Sequence, residues 1–99
     1  ARAVATACRP IAGRPHPERL LAFEIPGSTE WWGGFAPTSY VDISEDWPDK
    51  LRMLTAYRAE MRPYPHPRSI HAIDAHTQVR GSQAGVERAE AFQLIREIR

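Results

Sequence analysis

The sequence predicts an α/β fold, because short apolar runs typical of strands alternate with segments in which apolar residues recur at helical spacing. The strand-like runs cover residues 20–25 and 39–43, and the clearest helical patterns cover residues 51–61 and 69–80. With 99 residues the chain is at most one domain. A domain of this size buries only about two-thirds of the surface of its unfolded chain. We therefore expect a modest core.

The first element is an Ala-rich helix over residues 1–9, which Pro10 and Gly13 end. The residue before a proline is disfavoured in the helical region, and a loop over residues 14–18 follows. Residues 20–25 are then a short apolar run of β-compatible residues, which is typical of a buried strand.

Glu24 interrupts this apolar run. A buried carboxylate is costly unless it is paired, hydrogen-bonded or turned towards a wet cavity. The sequence therefore predicts one of these arrangements for Glu24. An edge-strand side chain in bulk water is an equally open alternative.

After an aromatic loop over residues 26–37, residues 39–43 alternate well enough to form a second strand. Ser44 or Asp46 is a candidate cap for the next helix, whose first turn tolerates Pro48. Its apolar positions recur at helical spacing and predict an amphipathic helix of three to four turns, which the proline-rich segment 63–67 stops. These positions are Leu51, Leu54, Tyr57 or Arg58, and Met61.

A second helix is predicted over residues 69–80, with Gly81 as its C-terminal stop. The last segment, residues 86–98, is ambiguous. Its apolar residues lie three apart and favour a terminal helix, whereas residues 90–94 also suit a strand.

Composition excludes several classes of function. Thirteen Lys and Arg residues against twelve Asp and Glu residues give a formal charge of +1, and the basic residues are scattered along the chain. We therefore expect no nucleic-acid partner. Since no apolar run approaches about 20 residues, we expect no membrane span. The single cysteine, Cys8, excludes an internal disulfide framework and suits the cytoplasm.

Four possible metal ligands fall within eleven residues, namely His66, His71, Asp74 and His76. Such clusters are raw material for a zinc site. On one helix, however, His71 and His76 point about 140° apart, so one ion does not reach both easily. Surface or pocket-edge histidines are the favoured interpretation.

An aromatic platform for a sugar ring is a second candidate site, since such rings stack on the apolar face of a sugar. Its members are Trp31, Trp32, Phe35 and Tyr40. A tryptophan that plugs the core is the competing interpretation.

Five sequence blocks occur in a fixed order, namely AVATACRP, LLAFEIPGSTEW, FxPxxYVDIS, AYxxEMRxYPHPRS and RGSQAGVERAEAF. Over residues 1 to about 95 they resemble the C-terminal portion of the PIG-L/LmbE family of zinc-dependent N-deacetylases. The resemblance implies a Rossmann-like three-layer α/β fold and hydrolysis of an acetamido group on an N-acetylglucosamine-type substrate. It also implies a strand in the final block, with Glu90 packed or paired inside it.

The chain departs from the family where the metal centre is expected. Family members carry His-Pro-Asp-Asp and His-x-x-His segments that supply zinc ligands and catalytic groups, and neither segment occurs here. The resemblance therefore implies that residues 1–99 are the C-terminal fragment of one deacetylase domain whose N-terminal half is missing. We expect zinc in the full-length protein, no zinc held by these residues, and no activity of this chain alone.

The family pattern also implies roles by position. Arg19 matches an arginine that orients the catalytic aspartate in some members. The expected substrate-binding residues are those that would face the cleft at the carboxyl end of their strand or reach over it. They are Glu24, Ser28, Thr29, Glu30, Trp31, His66 and Arg68, although a rigid proline-bracketed turn is an equal alternative for the last two.

The expected partners are an N-acetylated amino sugar and the missing half of the domain, with self-association left open. Without that half, we expect an unprotected sheet edge and exposed apolar helix faces. Two other classes remain open. One is a non-catalytic carbohydrate-binding or protein-interaction module, and the other is a small metalloprotein that uses the histidine cluster.

Overall fold

The computed structural model describes residues 2–57 and 61–99. Within them the chain forms four helices and three strands. In chain order these are α1 (Arg2–Ala7), β1 (Arg19–Phe23), α2 (Thr29–Trp32), β2 (Ser39–Asp42), α3 (Trp47–Ala56), α4 (Ile70–Ala84) and β3 (Ala89–Glu97).

The strands form one antiparallel sheet in the order β1-β3-β2, so the last strand lies in the centre. Phe23 of β1 pairs with Phe92 of β3, and Val41 of β2 pairs with Glu90. A register shift between Leu20 and Leu21 interrupts the β1–β3 ladder. The mixed α/β class is confirmed. The sheet is small and antiparallel, and the Rossmann-like three-layer arrangement stays a prediction.

The final segment is a strand, so the helix that its three-residue spacing favours is wrong. Ala89 and Ala91 are both buried, which is the two-residue period of a strand with one face on the core. Pairing on both edges and the packing of α4 against β3 decide between the two patterns. Glu90 is paired, as expected, through a hydrogen bond of 2.6 Å from Lys50 Nζ.

Helix α4 is longer than predicted, and Gly81 is not its stop. The helix begins after Ser69, whose hydroxyl accepts a hydrogen bond from the Ala72 amide at 3.0 Å. It ends at Ala84, and Gly85 is its C-cap, with the left-handed φ of 75° that glycine tolerates best. Gly81 is buried inside the helix, and a Cβ there would lie 2.6 Å from the Glu87 carbonyl carbon. Gly81 therefore permits the close approach of α4 to the turn before β3.

Helix α3 begins at Trp47, with Asp46 at the N-cap position and Pro48 in the first turn, as predicted, but the Asp46 side chain makes no capping hydrogen bond. Its described part ends at Ala56, with Tyr57 as the C-cap, so the expected extension through Arg58 falls on residues outside the described ranges. No residue of α3 is buried. Its apolar side chains therefore have little cover from the part of the chain that the structure describes.

The strand expected at residues 20–25 is present as β1 but is not buried, because it lies at the edge of the sheet and Phe23 is 62% exposed. The other expectations hold with small changes. Helix α1 ends before Pro10, residues 14–18 are a loop, and Arg19 is the first residue of β1. The loop over residues 26–37 contains the single turn α2, which the sequence does not predict. None of the described helices is both long enough and apolar enough for a membrane span.

The Arg88 side chain ties α3 and α4 to the start of β3. It donates hydrogen bonds to the carboxylate of Asp74 and to the Thr77 hydroxyl, and its guanidinium lies 4.2 Å from the centre of the Trp47 ring. The hydrogen bond from Arg88 holds the pKa of Asp74 below its ordinary value. The Arg88 amide donates to the Ser44 hydroxyl at 3.2 Å, which adds the turn after β2.

Replacing Gly81 with alanine tests the packing of α4. Alanine normally stabilises a helix relative to glycine by about 1 kcal/mol. Here the added methyl group meets backbone atoms, and we expect Gly81→Ala to lower the free energy of unfolding by about 1–3 kcal/mol. Urea unfolding measures the change. Ser82→Ala, at the exposed next position, is the control and should have little effect, and a more stable Gly81→Ala variant would contradict the packing.

Candidate functional site

The site is organised around Glu24, which directly follows β1 at its carboxyl end. Arg80 Nε donates to both carboxylate oxygens of Glu24, at 3.1 and 3.2 Å, and Arg80 Nη2 donates to Oε1. His76 Nε2 lies 3.0 Å from Oε2. Only 13% of the Glu24 side chain is exposed. Glu24 is therefore the paired carboxylate that the sequence predicts, and the alternative of a water-exposed side chain is wrong.

These contacts control the charge of Glu24. Burial by itself raises the pKa of the carboxyl group, because it disfavours the charged form. The hydrogen bonds that Arg80 and His76 make to Glu24, together with the positive charge of Arg80, outweigh burial and hold the pKa below its ordinary value. Glu24 is therefore ionised at neutral pH and acts as an acceptor for both α4 side chains.

A network continues from Arg80 towards the second strand. Arg80 Nη1 donates to Gln83 Oε1 at 2.9 Å, and the Tyr40 hydroxyl donates to the same oxygen at 3.1 Å. The Arg80 guanidinium carbon also lies 5.9 Å from the centre of the Phe35 ring, within cation–π range. The position of Arg80 is thus fixed from β1, from β2 and from the aromatic loop.

An open cavity of about 550 Å³ adjoins this cluster. Its volume falls in the range of roughly 300–1,000 Å³ typical of small-molecule sites. The wall combines charged, hydroxyl and apolar side chains. The lining residues are Glu24, Pro26, Thr29, Glu30, Gly33, Phe35, Pro67, Ala72, His76 and Arg80.

Thr29 and Glu30, both predicted to bind substrate, line this cavity and also hold their own turn together. The Thr29 hydroxyl lies 3.2 Å from both the amide nitrogen and the carbonyl oxygen of Ile25. Glu30 Oε1 accepts a hydrogen bond of 2.6 Å from the Gly27 amide. Gly27 has a φ of 87°, a left-handed conformation that favours glycine. The turn therefore presents a fixed wall to the cavity.

The proline-rich segment braces the same turn. Arg68 Nε donates to the Pro26 carbonyl at 2.9 Å, and the Arg68 amide donates to His66 Nδ1 at 3.0 Å. Pro67 lines the cavity, whereas His66 and Arg68 are not among its lining residues. The structure thus gives Arg68 the bracing contact of a rigid turn at the edge of the predicted cleft.

The remaining predicted residues are not brought to the cavity wall. Trp31 is 82% exposed, and neither it nor Ser28 lines the cavity. Arg19 begins β1, about 16 Å along the chain from Glu24 at strand spacing, and its nearest charged partner is Glu97 at 4.0 Å. Of the predicted aromatic platform, Phe35 lines the cavity, Tyr40 joins the polar network, and the Trp32 side chain lies outside the description.

Two carboxylates among the possible metal ligands are paired with arginine side chains. Within residues 2–57 and 61–99, no three His, Cys, Asp or Glu side chains are grouped to hold one. The Glu24 carboxylate already faces the Arg80 guanidinium, and the Asp74 carboxylate faces Arg88. The His71 ring contacts the ring of Tyr64 at 4.2 Å. In the described part of the chain, these His and Asp side chains are therefore not grouped around one point.

Arg80 is a site residue that the sequence pattern did not identify, whereas His76 is one of the expected pocket-edge histidines, although its pairing with Glu24 was not predicted. Arg80 and His76 lie four apart on α4 and thus share a face, and Glu24 is a buried carboxylate that needs a cationic partner. The four-residue spacing of His76 and Arg80 was the sequence feature that could have indicated a shared partner. It did not identify the pairing because nothing local in the sequence shows that α4 crosses the end of β1.

A smaller cavity of about 270 Å³ lies on the other side of the same cluster. It shares Glu24, Pro26 and His76 with the first cavity, and its remaining wall is largely apolar. Those further lining residues are Phe23, Lys50, Ile73, Thr77, Ala89, Glu90, Ala91 and Phe92. Glu24 and His76 thus line both cavities.

Removing Arg80 tests the energetics of the cluster. The pKa of Glu24 is lowered in the folded state, so its pairing stabilises the fold fully above the ordinary pKa of about 4.3. This stability is lost as the pH falls through the lower folded-state pKa. We expect Arg80→Met to lower the free energy of unfolding at neutral pH by about 1–3 kcal/mol, and by less at about pH 3.

Urea unfolding at both pH values measures this difference. Arg52→Met is the matched control, because the Arg52–Asp49 pair is exposed and contributes less than about 1 kcal/mol. Equal effects of the two variants at neutral pH would contradict a structural role for the Glu24–Arg80 pair.

Comparison of the chain with protein-family models, with curated proteins and with solved structures found no match.

Proposed function

We propose that this chain forms the substrate-cleft wall of a zinc-dependent hydrolase that removes the N-acetyl group from an N-acetylglucosamine-type substrate. The observation that carries the proposal is the 550 Å³ cavity at the carboxyl end of β1, with an anchored Glu24 on its wall. Three residues that the family resemblance implies for substrate binding, Glu24, Thr29 and Glu30, line that cavity.

The chemistry of the wall suits an amino sugar. Sugars present hydroxyl groups around their edge and apolar C–H groups on their faces, and an acetamido group adds a methyl group. Phe35 and Pro67 offer apolar surface, whereas Glu24, Glu30 and His76 offer polar atoms. The polar and apolar parts of the wall are held by separate elements, so a sugar ring between them would contact both.

The proposal assigns the metal centre to polypeptide other than these 99 residues. The family's ligand segments do not occur in the sequence, and the carboxylates of Glu24 and Asp74 are engaged with arginine side chains. The role of this chain is then to bind and orient the sugar and to exclude water from one side of it. In this proposal the chain acts in the cytoplasm with the other half of its domain, which would also cover the exposed side of α3.

A non-catalytic carbohydrate-binding module is the second candidate. It is favoured by one observation, namely that the Glu24–Arg80–His76 cluster and the cavity beside it are complete within the described residues. Such a module binds an acetamido sugar without any added protein or metal. The two candidates differ in whether a second polypeptide with the metal-binding segments restores hydrolysis.

Titration with methyl N-acetylglucosaminide tests the proposed cleft. We expect amide resonances of Thr29, Glu30 and Gly33 in the isotope-labelled chain to shift on binding, since these residues line the cavity. Phe35→Ala removes apolar contact area and should weaken binding roughly fivefold to twentyfold, the effect of about 1–2 kcal/mol. Met53→Ala, on the exposed side of α3, is the control and should bind as the parent chain does.

Acetate release is measured in the same samples. We expect none from this chain alone, because the proposal assigns the hydrolytic centre elsewhere. Shifts confined to residues outside the cavity would contradict the cleft, and acetate release by the purified chain would contradict the division of labour.

A further inference from the structure

His76 contacts the Glu24 carboxylate, and both residues line the cavity. Its Nε2 lies 3.0 Å from Glu24 Oε2, and 44% of its side chain is exposed where it helps to line the cavity. An ionised carboxylate only accepts hydrogen bonds, so Nε2 must carry the hydrogen of this contact. Glu24 therefore selects one tautomer of the ring.

The other ring nitrogen then has a defined chemistry. A neutral imidazole carries one hydrogen, and since Nε2 holds it, Nδ1 is an acceptor with a free lone pair. In the part of the chain that the structure describes, Nδ1 has no hydrogen-bond partner. The ring is half-exposed and belongs to the cavity wall, so a ligand in the cavity can reach it.

Neighbouring polar side chains are engaged within the protein. All three nitrogens of the Arg80 guanidinium donate to Glu24 or Gln83. The Thr29 hydroxyl bonds to the backbone of Ile25. The charged groups around the two cavities that His76 lines are Glu24, Arg80, Glu30, Lys50 and Glu90.

We propose that His76 is a specificity-determining residue of the cleft and that its Nδ1 accepts a hydrogen bond from one hydroxyl group of the bound sugar. Glu24 is the positioning residue that fixes the tautomer, and Arg80 in turn fixes Glu24. This inference rests on the proposed binding of an amino sugar. It adds the atom that recognises the sugar, His76 Nδ1, and the group that this atom requires, a hydroxyl donor.

Two substitutions separate the functions of the ring nitrogens. In His76→Gln, the side-chain amide reaches the position of Nε2 and keeps a donor for Glu24, but nothing replaces Nδ1. In His76→Asn, the shorter amide places a polar atom near Nδ1 and loses the contact with Glu24. The inference therefore expects glutamine to be the more damaging change for ligand binding, and a purely structural role expects the reverse.

Affinity for methyl N-acetylglucosaminide is measured by chemical-shift titration for the parent chain and both variants. We expect His76→Gln to weaken binding roughly threefold to tenfold, the effect of one neutral hydrogen bond. His76→Asn should stay within about threefold of the parent chain. His71→Gln, on the same helix but against Tyr64, is the matched control and should bind normally.

Single-deoxy analogues of the sugar identify the hydroxyl group. The parent chain should lose affinity for one analogue by a similar factor, and His76→Gln should not distinguish that analogue from the complete sugar. Nitrogen–proton couplings of the His76 ring report the tautomer directly, and we expect the single hydrogen of the neutral ring on Nε2.

The outcomes are distinct. If the parent chain binds no amino sugar, the proposed function fails and this inference fails with it. If it binds but His76→Gln binds equally well, or if the ring carries its hydrogen on Nδ1, the inference alone is overturned.

Discussion

The ion pair between Glu24 and Arg80 is the interaction on which the site depends. It joins the end of β1 to α4 through two residues that lie 56 positions apart in the sequence. A carboxylate with so little exposure requires compensation, and two α4 side chains supply it. The same contacts close one side of the cavity and orient His76, so stability and site geometry share a single set of atoms.

The pair forms because α4 packs closely onto the start of β3. Ala89 and Ala91 present small side chains to the core, and Gly81 lets the helix backbone approach the turn before β3. Arg88, just before β3, anchors α4 through Asp74 and α3 through Trp47. Small residues and two arginine side chains thus position α4 in a domain whose core is modest.

The local pattern identified the strands at residues 20–25 and 39–43 and the start of α3, because alternation, capping residues and proline positions are properties of neighbouring residues. It also singled out Glu24 as a carboxylate in need of a partner. It did not place Gly81, whose role depends on a turn six residues away, or the α2 turn. The sequence pattern left residues 86–98 open between a helix and a strand, and the family resemblance favoured a strand; pairing with both β1 and β2 decides for the strand. The pairing of Arg80 and His76 with Glu24 depends on the packing of α4 near the end of β1, which no local pattern shows.

The central claim is that an acetamido sugar lies beside the Glu24–Arg80–His76 cluster. A crystal structure of the chain with bound methyl N-acetylglucosaminide tests it most directly. The account predicts sugar density between Phe35 and His76, with one hydroxyl group within hydrogen-bond distance of His76 Nδ1. Sugar bound elsewhere on the chain, with this cavity holding only solvent, would contradict it.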